Sequence, residues 1–147
     1  MFDEARTAIQ VPHSSRGLAY SDFDNDGDID MLVVNLSERP SLLRNDTSGK
    51  NNWIKIRPEG TVSNRSAIGT RIEVAANGKK QMKELQSQSS FLSCSDFRLH
   101  FGLGNAPDAE VTVRWPNGER ETFTGLKANQ LYTIKERSGI VGNRGWS

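Results

Sequence analysis

From residue 53 onward the chain alternates between apolar and polar positions, and this restricts the fold more than any other feature. Ile54 and Ile56 fall on one side of an extended segment; so do Ile68, Thr70, Ile72 and Val74, and later Val111, Val113 and Trp115. A period of two places successive side chains on opposite faces of a pleated strand, as in an antiparallel sheet with one buried face. No stretch carries the 3.6-residue period of a long helix. Turn residues divide the alternation. Asn77-Gly78 supplies the two positive φ angles of a tight hairpin before Lys79 and the residues up to Leu85. Pro116-Asn-Gly118 separates Val111–Trp115 from the segment up to Phe123, and Gln130–Lys135 completes the set. The expectation is an all-β fold, a small antiparallel β-sandwich or barrel over residues 51–137.

The first 50 residues read differently. Gly17-Leu-Ala-Tyr20 precedes an acidic stretch and Ile29-Asp-Met-Leu-Val-Val34 follows it, which gives strand, loop, strand. Residues 45–52 are polar, contain Gly49 and lack any pattern, so they form the candidate linker. Residues 138–147, with Gly139, Gly142 and Gly145, are expected to be a flexible tail.

Composition excludes several classes. The chain has 147 residues, 35% hydrophobic and 25% charged, and no apolar run approaches the ~20 residues that cross a bilayer. Membrane insertion is therefore not expected. The opening ten residues lack the basic start and apolar stretch of a signal peptide. Residues 1–50 carry nine acidic and five basic groups, the remainder nine acidic and fourteen basic. That basic excess is scattered over Lys79, Lys80, Lys83 and Arg114 rather than clustered, so no nucleic-acid partner is expected. Cys94 is the only cysteine, forms no intrachain disulfide, and reads as a small buried hydrophobe. His13 and His100 read as structural. No Ser/His/Asp or Cys/His set is recognisable, and no catalytic residue is assigned.

The acidic stretch is Asp22-Phe-Asp-Asn-Asp-Gly-Asp-Ile-Asp30, with carboxylates at loop positions 1, 3, 5, 7 and 9 and Gly27 at position 6. Calcium takes six to eight hard oxygen donors, and alternating acids on a tightly curved loop can converge on one point. Without a cation each close pair of carboxylates would repel by roughly 1–4 kcal/mol, depending on the local dielectric. A helical EF-hand needs a bidentate Glu at position 12, and Val33 stands there. The expected ligand set is Asp22, Asp24, Asp26 and Asp30 through side chains and Asp28 through its backbone carbonyl. Magnesium, with its stricter octahedral demand, fits less well.

These residues resemble a known repeat. Gly17-Leu-Ala-Tyr-Ser-Asp-Phe-Asp-Asn-Asp-Gly-Asp-Ile-Asp-Met-Leu-Val34 with Leu42-Leu-Arg-Asn45 is similar to an FG-GAP/VCBS repeat of the integrin-α type. Such repeats form β-propeller blades that carry calcium in a hairpin loop. Further along, Trp53-Ile-Lys-Ile56, Asn64-Arg-Ser-Ala-Ile-Gly69, His100-Phe-Gly-Leu-Gly104, Val113-Arg-Trp-Pro-Asn-Gly118 and Ala128-Asn-Gln130 resemble the ASPIC/UnbV domain. Together they imply a partial propeller-type blade over residues 1–50, an ASPIC/UnbV-like β domain over 51–137, and the C-terminal piece of a longer secreted or cell-surface protein.

The function expected is a calcium-binding extracytoplasmic binding or adhesion module without enzymatic activity. Its calcium is structural and its partner is an extracellular protein or glycan; a propeller blade standing alone could also self-associate through its strand edge. The alternatives are a carbohydrate-binding, lectin-like domain, with Trp53 or Trp115 as sugar platforms beside Asn64, Arg65 or Arg71, and a glycan-acting hydrolase using two loop aspartates.

Overall fold

A computed structural model describes residues 12–47, 51–90 and 92–145, and among these there is no helix. No helix of these residues is long and apolar enough to cross a membrane. Among the described residues eleven strands run in chain order: β1 (Ser15–Ser21), β2 (Asp30–Asn35), β3 (Ser41–Leu43), β4 (Asn52–Glu59), β5 (Arg71–Ala76), β6 (Lys79–Glu84), β7 (Leu99–Gly104), β8 (Asp108–Arg114), β9 (Arg120–Lys127), β10 (Gln130–Lys135) and β11 (Gly139–Gly145). They fall into two compact units, one of Met1–Ser48 with Ser87–Asp96, the other of Gly49–Gln86 with Phe97–Ser147.

The second unit is a β-sandwich. Its sheets have strand orders β11-β10-β4-β7 and β6-β5-β8-β9, and neither closes into a barrel. The alternating residues meet between them: Ile54, Ile56, Phe101, Leu103 and Ile134 from one sheet, Ile72, Val74, Val111 and Val113 from the other. Trp115, 1% exposed, joins this core and donates its indole N–H to Glu121 at 2.8 Å. All but one of the pairings in these two sheets are antiparallel; β10 runs parallel to β4. At Asn77 and Gly78 φ is 47° and 72°, the positive pair that the hairpin requires.

Edge strand β6 is exposed along its whole length and carries three lysines, a composition that discourages pairing with another chain. Its Gln81 and Lys83 side chains donate to the carbonyls of Gly102 and His100 on β7, each at 2.6 Å, and so bridge the sandwich at its open side. Partial burial pushes the Lys83 ammonium below its usual range.

Two expectations fail here for local reasons. Ile68 and Thr70 do not extend β5, because the Asn64 side chain accepts from the Ile68 N–H and donates to its carbonyl, both at 2.9 Å, which turns the chain before the strand starts. Residues 139–145 are not a flexible tail. They form β11, whose backbone pairs with β10 without any help from side-chain pattern.

Behind the loop at residues 60–64 lies a polar anchor that the sequence does not announce. Glu136 is 0% exposed, and its Oε2 accepts the backbone N–H groups of Thr61, Val62 and Ser63 at 2.7, 2.8 and 2.8 Å. Its Oε1 accepts the Ser63 hydroxyl at 2.8 Å and the Asn117 amide at 2.9 Å. Burial alone would raise this carboxyl, but the N–H groups of Ser63 and Thr61, the Ser63 hydroxyl and the Val62 N–H outweigh it and bring the pKa to about 2.

In the first unit, β1, β2 and β3 form an antiparallel sheet in that order, with Ala19 opposite Leu32 and Leu32 opposite Leu42. Asn35 closes one end, accepting the Ser15 hydroxyl at 2.8 Å and donating to the Arg39 carbonyl at 3.0 Å. The β1–β2 connection is the acidic loop.

Candidate metal centre

Register fixes the two ends of the loop. Ser21 and Asp30 are the last paired residues of β1 and β2, so Asp22 and Asp30 start from adjacent points on one sheet. Both are buried, 2% exposed each. The Asp22 carboxylate accepts the Gly27 N–H at 2.8 Å, which folds the loop back over its first residue. Positive φ at Asn25 (62°) and Gly27 (101°) makes that reversal, and Gly27 has no Cβ to resist it. Asp30 accepts the Phe23 N–H at 2.9 Å with one oxygen and the Asn45 N–H at 2.8 Å with the other. Asp24 and Asp26 each accept the N–H two residues on, at 3.3 and 2.9 Å, in Asx turns.

Carboxylate oxygens of Asp22, Asp24 and Asp30 all lie within 4.8 Å of one another. Two oxygens that share a calcium ion at roughly 2.4 Å can stand at most about 4.8 Å apart, so this spacing suits a common ion. A second group, all exposed, joins Asp24 and Asp26 to Asp46 within the same limit. Asp28 stands in neither group. Its carboxyl is raised by burial first and then by repulsion from Asp26, Asp22, Asp30 and Asp24. Asp26 is raised in the same way, by burial and by its acidic neighbours Asp24, Asp22 and Asp30, against a lowering bond from the Asp28 N–H.

Asp46 was not among the sequence candidates. The pairing of Met31 with Leu43 carries the chain after β3 back beside Asp30, and following that register two residues further would have located it. The Arg44 guanidinium pairs with Asp46, Nε to Oδ1 at 2.7 Å, and is raised by that contact.

The other candidate chemistry is not assembled. Trp53 is 8% exposed, with His100 stacked on it at 5.9 Å between ring centroids and the Lys55 ammonium over its ring at 4.7 Å. Trp115 lies in the core, so neither tryptophan presents a ring face to a sugar. Asn64 is held by Ile68, and Arg71 pairs with Glu84 at 2.7 Å. Cys94, expected to be buried, is exposed, because it belongs to the stretch between β6 and β7 that leaves the sandwich.

The family model described as ASPIC and UnbV matches residues 60–141. Cartilage acidic protein 1 of Mus musculus and of Homo sapiens are each 25% identical over 118 residues, 76% of this chain but 18% and 17% of those proteins. Cartilage acidic protein 1 of Xenopus tropicalis is 26% identical over 107 residues, 70% of this chain and 16% of that protein. The chain therefore spans less than a fifth of the length of these relatives.

Proposed function

The chain belongs to the ASPIC and UnbV family, and from that premise we propose that it is an extracytoplasmic binding or adhesion module, not an enzyme, whose loop at residues 22–30 holds a structural calcium ion. Asp22, Asp24 and Asp30 are the side-chain ligands, and Asp26 with Asp46 extends the acidic surround. A bound ion supplies a positive centre that turns the repulsion among these carboxylates into attraction.

The observation that carries this reading is where the first unit keeps its polar groups. Among the described residues, its buried side chains are Asp22, Asp30 and Asn35, whereas Leu18, Tyr20, Phe23, Met31, Leu32, Val34, Leu36 and Leu42 are exposed. All members of the apolar core belong to the sandwich. A three-stranded sheet whose described residues form no apolar core of their own is marginal in water, and an ion bound only by the native loop adds its binding free energy to folding. Asp22 and Asp30 are already hydrogen-bonded to loop N–H groups, which suits ligands and counts against a proton-transferring pair. The partner is an extracellular protein or glycan.

Calcium titration by calorimetry, with thermal melts in calcium and in chelator, tests the reading. One-site binding should accompany a calcium-dependent melt, worth about 2.7 kcal/mol when free calcium is a hundred times Kd. Absence of binding heat together with superimposable melts would overturn it.

A further inference from the structure

The ten residues Ser87–Asp96 interrupt the sandwich in sequence, between β6 and β7, yet belong to the compact unit that contains the aspartate loop. Three of them, Ser90, Ser95 and Asp96, bond to β1, an edge strand of that unit's sheet. Ser90 Oγ accepts the Leu18 N–H at 3.1 Å and Ser95 Oγ accepts the Tyr20 N–H at 3.5 Å. Asp96 donates its backbone N–H to the Tyr20 carbonyl at 3.3 Å and accepts the Ser21 hydroxyl on Oδ2 at 2.9 Å. Serine suits such a place because its short hydroxyl can accept a backbone N–H without the extended partner that a strand would require. The segment is tied to itself by a Ser90–Ser93 bridge and by the Ser89 and Ser95 hydroxyls at 2.9 Å.

The last of these contacts falls at a sensitive point. Ser21 immediately precedes Asp22 in the chain and is the register partner of Asp30, so Asp96 holds the residue from which both buried aspartates are placed. We propose that Ser87–Asp96 is a strap whose seating on β1 is coupled to cation binding, with Asp96 as a positioning residue for the loop at residues 22–30. The inference rests on the calcium reading above. Linkage is reciprocal: whatever factor the seated strap adds to calcium affinity, calcium adds to the seating of the strap. The same seating occupies the β1 edge and withdraws it from pairing with a second copy.

The test uses the full chain, titrated with calcium, and residue-resolved amide exchange. In the wild type, calcium should slow exchange at Leu18, Tyr20 and Asp96, outside the loop itself. Asp96→Ala and Ser21→Ala should each weaken calcium binding by about fivefold or more, the lower end of typical coupling factors. Asp96→Asn keeps an oxygen for the Ser21 hydroxyl and should stay within about threefold of wild type, as positioning demands. If Asp96→Asn falls as far as Asp96→Ala, the residue acts through its charge and the positioning role is wrong. Unchanged affinity in both alanine variants, or exchange at Leu18 and Tyr20 that ignores calcium, overturns the strap while leaving the calcium site standing. A wild type that binds no calcium defeats the calcium reading itself.

Discussion

Replacing Glu136 by Gln removes one charge and almost no volume at a buried side chain of the sandwich that accepts five hydrogen bonds. Three backbone N–H groups converge on one of its oxygens, and a hydroxyl and an amide reach the other. If the Gln oxygen keeps the three N–H groups, its NH₂ can donate to the Ser63 hydroxyl once that turns to accept, but it opposes the Asn117 NH₂, whose own oxygen is held by the Glu119 N–H; the opposite orientation is worse. A hydrogen bond to a charged group contributes about 1.5–3 kcal/mol and a neutral one about 1, so weakening the set and opposing donors at one end should cost about 2–4 kcal/mol. The melting temperature should fall by on the order of 10 °C.

Acid titration makes the expectation more specific. The folded-state pKa of Glu136 is about 2, depressed from an unfolded value near 4.5. A depressed carboxylate contributes stability that is fully present above the unfolded pKa and disappears as pH falls through the folded one. Denaturant melts of wild type and Glu136→Gln at pH 7, 4 and 2.5 should therefore show a gap that is widest at pH 7 and narrows between about pH 5 and pH 2. Other carboxylates titrate in both proteins and cancel in the difference. A gap below about 0.5 kcal/mol, or one that does not change with pH, would refute the anchor.

Two further substitutions probe the backbone and the loop. A Cβ at residue 60 would sit 2.1 Å from the Asn64 carbonyl oxygen, so Gly60→Ala must shift main chain and should destabilise the sandwich by about 1–3 kcal/mol, measured by denaturant melt. Asp24→Asn and Asp30→Asn should both abolish the calcium-dependent part of the melt, but in chelator only Asp30→Asn should lower stability. Asp30 holds the N–H groups of Phe23 and Asn45, whereas the exposed Asp24 accepts only a 3.3 Å bond.

Where side chains repeat, the sequence reports the fold; where backbone or a single polar group does the organising, it is silent. Ile54, Ile72, Val111 and Ile134 declare the sandwich because one face of each strand is buried, and Asn77-Gly78 declares its hairpin because few residues tolerate two positive φ angles. Strand β11 is invisible because its glycines carry no pattern and its order comes from β10. Glu136 looks like any charged residue at a strand end until residues 61–63 fold over it. Within the loop, the closeness of Asp22, Asp24 and Asp30 was legible from spacing, since a local turn gathers them, whereas Asp26 and Asp28, expected with them, stand outside that group; the nearness of Asp46 and Asp96 was not legible, since a strand register and a distant segment bring them in.

The two units cohere by different physics, and this bears on how a cation could act. In the sandwich, apolar burial supplies the driving force and Glu136 fixes one loop. Among the described residues of the first unit the buried side chains are carboxylates and an amide, each bonded to backbone, so geometry is specified but little of their apolar surface leaves water. Hydrogen bonds of that kind contribute modestly on balance, because water competes for the same donors. A divalent ion held by the Asp22, Asp24 and Asp30 carboxylates, as proposed, would meet far less competition from water, and the strap serines add partners that water would otherwise provide at the β1 edge. The proposed calcium ion and the strap would therefore address the same deficit at one end of β1, where Tyr20 and Ser21 lead into the loop. Removal of either should loosen the exchange protection of Leu18 and Tyr20 before it disturbs Ile54 or Val111 in the sandwich core.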